Sequence, residues 1–232
     1  MTTETTDAQG DRGPGARGLR LVPALLLITV VSGLIDAASY LGLGHVFTAN
    51  MTGNVVVLGF AAAGAPGFST SHSATSLGAF LVGAVAGGRA ERHFSKRSRR
   101  ALARNAFAVE TVLVGIAAAV AHVAPGGTGT VYAVIVLTAF AMGMRNATVR
   151  MLKVTDLSTT TVLTTTLTKL AADSRAGSGT GGRSLRRASS ALSLLAGALL
   201  GGWLMLHVGL PAALLAASFT TAVLAVTVSG EE

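Results

Sequence analysis

Cysteine is absent from all 232 residues, which excludes disulfides and thiolate metal sites. Charged residues make up only 12% of the chain, against roughly 25% in a soluble domain. Aromatic residues are 5%, with one Trp and two Tyr, so any aromatic belt is sparse. The histidines (His45, His72, His93, His122 and His207) show no HxxxH or HExxH spacing. Phosphate-binding loops, dinucleotide fingerprints and nucleophile elbows are also missing. These absences argue against an enzyme and against a resident metal or cofactor.

What the chain does have is apolar length. Half of its residues are hydrophobic, and its mean hydropathy is +0.61. Long apolar runs cover 21–40, 74–88, 105–124, 131–144, 189–207 and 211–228. About 18 to 20 apolar residues suffice for a membrane-spanning helix. The expected class is therefore an all-α polytopic membrane helix bundle, with the lipid bilayer as its surroundings. The runs 74–88 and 131–144 need flanking residues to span. Arg17 and Arg20 before run 21–40 resemble a signal peptide, but the run is too long and contains Asp36.

The net charge is +8, which in a soluble chain would suggest nucleic acid. Here the Lys and Arg residues fall into four clusters, at 12–20, 89–104, 145–153 and 169–187, with none between. The cluster around Arg97 has no interleaved aromatics, so nucleic acid is not expected as a partner. A cytoplasmic anchor attracted to anionic lipid explains it better.

Basic loops stay in the cytoplasm, so an even number of crossings must separate any two clusters. Three apolar segments (21–42, 46–64 and 74–90) separate the first two clusters, and one (157–172) separates the last two. Both conflicts vanish if 46–64 and 157–172, the most polar of these segments, enter the membrane and return. The expected topology is six spanning helices plus two re-entrant or broken segments, with both termini cytoplasmic. The alternative is eight spanning helices.

The sequence also repeats weakly. GLIDA at 33–37 resembles GMRNA at 143–147, and TANMTGNVVVLG at 48–59 resembles TTVLTTTLTKLA at 160–171. Residues 1–19 read as a disordered cytoplasmic tail and 20–230 as one transmembrane domain. Its halves cover about 21–124 and 131–229. Three crossings per half make the second half an inverted copy of the first, the plan of many transporters, with the site where broken helices meet.

Asp36 lies within the first apolar run, and an intramembrane carboxylate is by default a functional candidate. Gly33, Asp36 and Tyr40 share a helical face, as do Gly143, Asn146 and Arg150. Asn50, Thr52, Gly53 and Asn54, with Thr160 and Thr164 from the second half, complete a candidate pathway lining. Each has a structural alternative. Asp36 could be a cap or pair with Arg145, Asn50 and its neighbours could cap a half-helix, and Glu110 reads as structural.

The stretch SGLIDAASYLGLGHVFTANMTGNVVVLG resembles the leading motif of the YoaK family, bacterial multi-pass membrane proteins of uncharacterised role. GMRNATVR and TTVLTTTLTKLA resemble that family's second-half elements. The resemblance covers about 20–230. Arg145 stands where the family usually has Gln, while Thr165 and Ala171 stand where it usually has Gly. The resemblance implies a plasma-membrane location. The expected role is a small-solute transporter or channel with its site between the repeat halves; the alternative is a membrane scaffold or accessory subunit. Homo-oligomerisation is left open.

Overall fold

A computed structural model of the chain describes residues 15–93, 99–151, 163–172 and 184–227. Among these residues the regular secondary structure is all α-helix. In chain order the helices are α1 (Gly15–Gly42), α2 (Met51–Ala62), α3 (Thr70–His93), α4 (Arg99–Val123), α5 (Thr128–Met151), α6 (Leu163–Ala172), α7 (Ser184–His207) and α8 (Leu210–Thr227). Helix α1 begins inside the segment assigned to the N-terminal tail; residues 1–14 lie outside the described ones.

Among the described residues five stretches are long and apolar enough to cross a membrane: Pro23–Gly42, Ala101–Val123, Thr128–Arg150, Ala188–His207 and Leu210–Thr227. Helix α3 has the length, at 24 residues. Its apolar centre, however, is flanked by Thr70, Ser71, His72 and Ser73 at one end and by Arg89, Glu91, Arg92 and His93 at the other. Helix α2 has 12 residues, or about 18 Å at 1.5 Å per residue, well short of a ~30 Å hydrocarbon core.

The distribution of side chains is inside-out relative to a soluble protein. Leu192, Leu199, Trp203 and Leu206 of α7 and Phe219 and Val226 of α8 lie exposed, while Ser32, Asp36, Asn54, Ser76, Glu110, Thr138 and Arg145 are buried. Lipid solvates the first group, and internal hydrogen bonds must satisfy the second.

Small residues set the helix pairing. Helix α1 packs along α7, and α3 along α5. A β-carbon on Gly33 of α1 would strike the Leu194 carbonyl of α7, and one on Gly197 or Gly201 of α7 would strike the Val30 or Leu34 carbonyl of α1. The other pair repeats this pattern. A β-carbon on Gly143 of α5 would meet the Phe80 carbonyl of α3, and one on Gly83 or Gly87 of α3 would meet the Phe140 or Met144 carbonyl of α5. In lipid, such close backbone approach is what favours association, because apolar burial gains little there.

Two further sets of pairings follow the same exchange of α1 with α5, α2 with α6, α3 with α7 and α4 with α8, whereas the contact of α7 with α8 has no counterpart of similar extent between α3 and α4. Helix α2 lies on α3 as α6 lies on α7, and α4 meets α5 as α1 meets α8. Helices α4 and α8 pack on each other. There the Ser218 hydroxyl donates to the Thr111 carbonyl at 2.9 Å, and the Thr111 hydroxyl donates to Thr221 Oγ1 at 2.9 Å.

Candidate functional site

Helix α1 ends in a turn with two left-handed residues, Gly44 (φ 81) and His45 (φ 61). A non-glycine residue is uncommon in that region. The His45 ring is held by Tyr40, 5.1 Å away between centroids, and its Nδ1 lies 2.9 Å from the Gly67 carbonyl oxygen. Tyr40 also stacks on Phe47 at 4.7 Å. The turn sends residues 46–50 back alongside the end of α1.

Asp36 receives them. Its Oδ1 accepts the backbone N–H groups of Thr48 (3.1 Å), Ala49 (2.8 Å) and Asn50 (3.2 Å). These donors lead into the N-terminus of α2, where the helix dipole also favours a negative charge. Asn50 is the N-cap, its side chain accepting from Gly53 N. The structural alternative weighed for Asp36 is thus realised, as a cap on the entry to α2.

Asn54 completes the clamp. Its Oδ1 accepts the Phe47 N–H at 2.9 Å, and its Nδ2 donates to the Phe47 carbonyl at 2.6 Å and to Ser76 Oγ at 3.0 Å. The Ser76 hydroxyl donates to the same Phe47 carbonyl at 2.7 Å. Gly53 is needed for packing rather than for a turn: it lies within α2, and a β-carbon there would meet Phe47 Cδ2 at 2.7 Å.

A second polar cluster lies deeper. Arg145 of α5 and Glu110 of α4 are both 0% exposed. Arg145 Nη1 donates to Glu110 Oε1 at 2.8 Å, and Nη2 donates to the Ser32 hydroxyl of α1 at 2.6 Å. The Ser32 hydroxyl in turn donates to the Ile28 carbonyl at 3.0 Å. The guanidinium also acts electrostatically on Asp36. Two buried polar atoms of this pair have no hydrogen-bond partner, Arg145 Nε and Glu110 Oε2, and neither has Oδ1 of Asn146, the next residue along α5. A buried ion pair with open valences is costly and carries weak stabilisation.

The expected residues therefore separate. Asp36, Tyr40, Asn50, Gly53 and Asn54 gather around the entry to α2. Asn146 is partly buried, while Thr52, Arg150 and Thr164 are exposed and line neither cluster. Thr160 lies outside the described residues. Arg145, a candidate partner of Asp36, takes Glu110 as its direct partner instead. Glu110 has no charged neighbour in sequence, and acquires one 35 residues away. Ser32 and Ser76 are invisible to sequence reasoning because isolated serines in helices carry no pattern. Among the described residues no group of three or more His, Asp or Glu side chains could hold a metal ion.

A bundle of apolar helices with a polar interior and an apolar exterior is a multi-pass helical membrane protein. The chain belongs to the family described as "Protein of unknown function (DUF1275)", whose profile matches residues 24–227. It is 34% identical over 154 residues to the UPF0700 transmembrane protein YoaK of Bacillus subtilis (strain 168). That match covers 64% of this chain and 65% of the relative, so the chain spans just under two thirds of the length of the curated relative it matches. No solved structure matches.

Proposed function

We propose that the chain is a small-solute transporter or channel of the plasma membrane, rather than an enzyme. Its two halves are inverted copies, each with three crossings and one re-entrant helix. Helix α3 is the sixth crossing, and both termini are cytoplasmic. The matching glycine contacts of α1 with α7 and α3 with α5 support the repeat, and the short length of α2 supports re-entry. One observation carries the functional reading: a fully buried Arg145 joins α5 of the second half to Glu110 and Ser32 of the first. Charge inside a membrane domain is expensive and generally marks a pathway, and inverted-repeat carriers place their sites between halves.

Uptake profiling tests this. Cells lacking the gene are compared with cells expressing the wild type, Arg145→Met or Gly88→Ala across a panel of labelled small solutes. At least one solute class should differ between deletion and wild type, with Arg145→Met behaving as the deletion and Gly88→Ala as the wild type. Identical profiles throughout, with the protein present in the membrane, would sink the transport reading.

The second reading is a membrane scaffold or accessory subunit. It is favoured by the full employment of Asp36 Oδ1 and the Asn54 amide in binding backbone. On that reading Arg145→Met loses only stability, and glycine substitutions in the α1–α7 seam are the damaging ones.

A further inference from the structure

We propose that Glu110 is a proton-binding site, its Oε2 taking up a proton from water when the Arg145 pair is relaxed. This deepens the transport reading above by naming the coupling ion, and rests on it for its physiological use. The argument starts from charge. Two buried carboxylates, Asp36 and Glu110, lie in an interior with one buried guanidinium, Arg145, which pairs directly with Glu110 and acts on Asp36 only through space. Of the elements packed against α4, α8 carries no titratable side chain and α5 carries Tyr132, Arg145 and Arg150, of which Arg145 reaches Glu110; α1 meets the pair through the Ser32 hydroxyl on Arg145 and carries Asp36 one turn further along. On α4 itself the other titratable groups, Arg99, Arg100, Arg104 and His122, lie toward its two ends.

With both carboxylates ionised the cluster carries one uncompensated negative charge in a low-dielectric interior. The N-terminus of α2 offsets only about half a charge. One bound proton brings the cluster close to neutrality, with the Asp36 carboxylate still acting on Arg145 through space. The geometry selects the carboxylate that takes the proton. Asp36 Oδ1 already accepts three backbone N–H groups, bonds that are strongest to a charged acceptor. Glu110 has a partner only on Oε1, and its Oε2 is buried with none. Protonation there forms one O–H bond on an oxygen with an open valence. An alkali or divalent cation fits poorly, since such ions want about six or more oxygen ligands and would sit against a guanidinium.

Infrared difference spectroscopy on the full chain in liposomes tests this with no solute present. Between acidic and alkaline buffer, the wild type should gain and lose the carbonyl stretch of a buried carboxylic acid. That band should shift on labelling glutamate carboxyls with carbon-13 and vanish completely in Glu110→Gln; Asp36→Asn, which removes the excess negative charge, should move its appearance to more acidic buffer without abolishing it. Replacing sodium with choline should leave it unchanged. A band that persists in Glu110→Gln, that fails to shift with the glutamate label, that titrates with sodium, or that is missing from the wild type overturns the proposal. The isotope shift needs no substitution, so it holds even where Glu110→Gln folds poorly. A protein that binds the proton but moves no solute would sink the transport reading and leave this site standing.

Discussion

Asn54 and Phe47 are joined as two neighbouring β-strand residues would be, although one is in a helix and the other in a turn. The Asn54 side-chain amide meets both the N–H and the C=O of Phe47, at 2.9 and 2.6 Å. Asn54→Ala removes the partner of the Phe47 N–H, one of the two donors to the Phe47 carbonyl and one partner of Ser76. The expected cost is about 1–3 kcal/mol per group left unsatisfied, read as a lower melting temperature in detergent. Asn54→Asp keeps the acceptor and loses the donor, and should fall between wild type and alanine.

Asp36 holds the other side of the same turn. Asp36→Ala strips an acceptor from three N–H groups at once and should expose residues 48–50 to faster amide exchange. Asp36→Asn keeps an oxygen acceptor without the charge. Charged acceptors make hydrogen bonds roughly twice as strong as neutral ones, so Asn should protect those amides less than Asp but more than Ala. Exchange rates at Thr48, Ala49 and Asn50, measured by mass spectrometry, check the order.

Arg145 and Glu110 should behave non-additively. Arg145→Met leaves two buried carboxylates without a cation, and loss of one partner of a buried pair costs about 3–5 kcal/mol. Adding Glu110→Gln removes one of those charges, so the double variant should recover part of the lost stability. A double-mutant cycle on thermal melts measures the difference. Additive losses would mean that the two side chains do not act as a pair.

The glycines divide into two groups. Gly33→Ala and Gly143→Ala place a methyl against a neighbouring backbone and should each cost about 1–3 kcal/mol, as overpacking does. Gly59, Gly78 and Gly88 have nothing within 4 Å of a built β-carbon. Alanine there should be neutral or stabilising by up to about 1 kcal/mol, through helix propensity alone. Melting curves of the single variants separate the groups.

Topology is open to a direct test because the native chain has no cysteine. Val154→Cys and Ser178→Cys, made singly, should be labelled from the same side by an impermeant maleimide. Labelling from opposite faces would make 157–172 a crossing and break the inverted repeat.

Much of the fold was legible because lipid and water demand different residues: the apolar runs locate the long helices. The charge count flagged 46–64 as irregular, and the structure gives it a helix too short to span. The candidate site was legible only in part. Asp36 and Asn54 stood out as polar residues in an apolar setting; the N-cap pattern foresaw the role of Asn50, while the clamp of Asn54 on Phe47 carried no sequence signal. The pairing of Arg145 with Glu110 was not legible, because the two meet only when α4 and α5 fold against each other. The one local signal was Arg145 itself, standing where the YoaK pattern has Gln. Thr52 and Arg150 lie exposed and outside both clusters; helical periodicity groups Arg150 with Gly143 and Asn146 without saying which face points inward.

The seams lined by Gly33 and Gly143 also constrain how the protein is made. Helix α1 finds its glycine partner in α7, and α3 finds its partner in α5, so each seam joins an early helix to a late one. A ribosome delivers Gly33 to the membrane long before Gly197. In the interval α1 must wait with an open backbone groove facing lipid, a chaperone or the translocon, although Asp36 already has its partners in residues 48–50. The first half alone is therefore an unfinished product, and assembly should complete only after the seventh helix has been inserted.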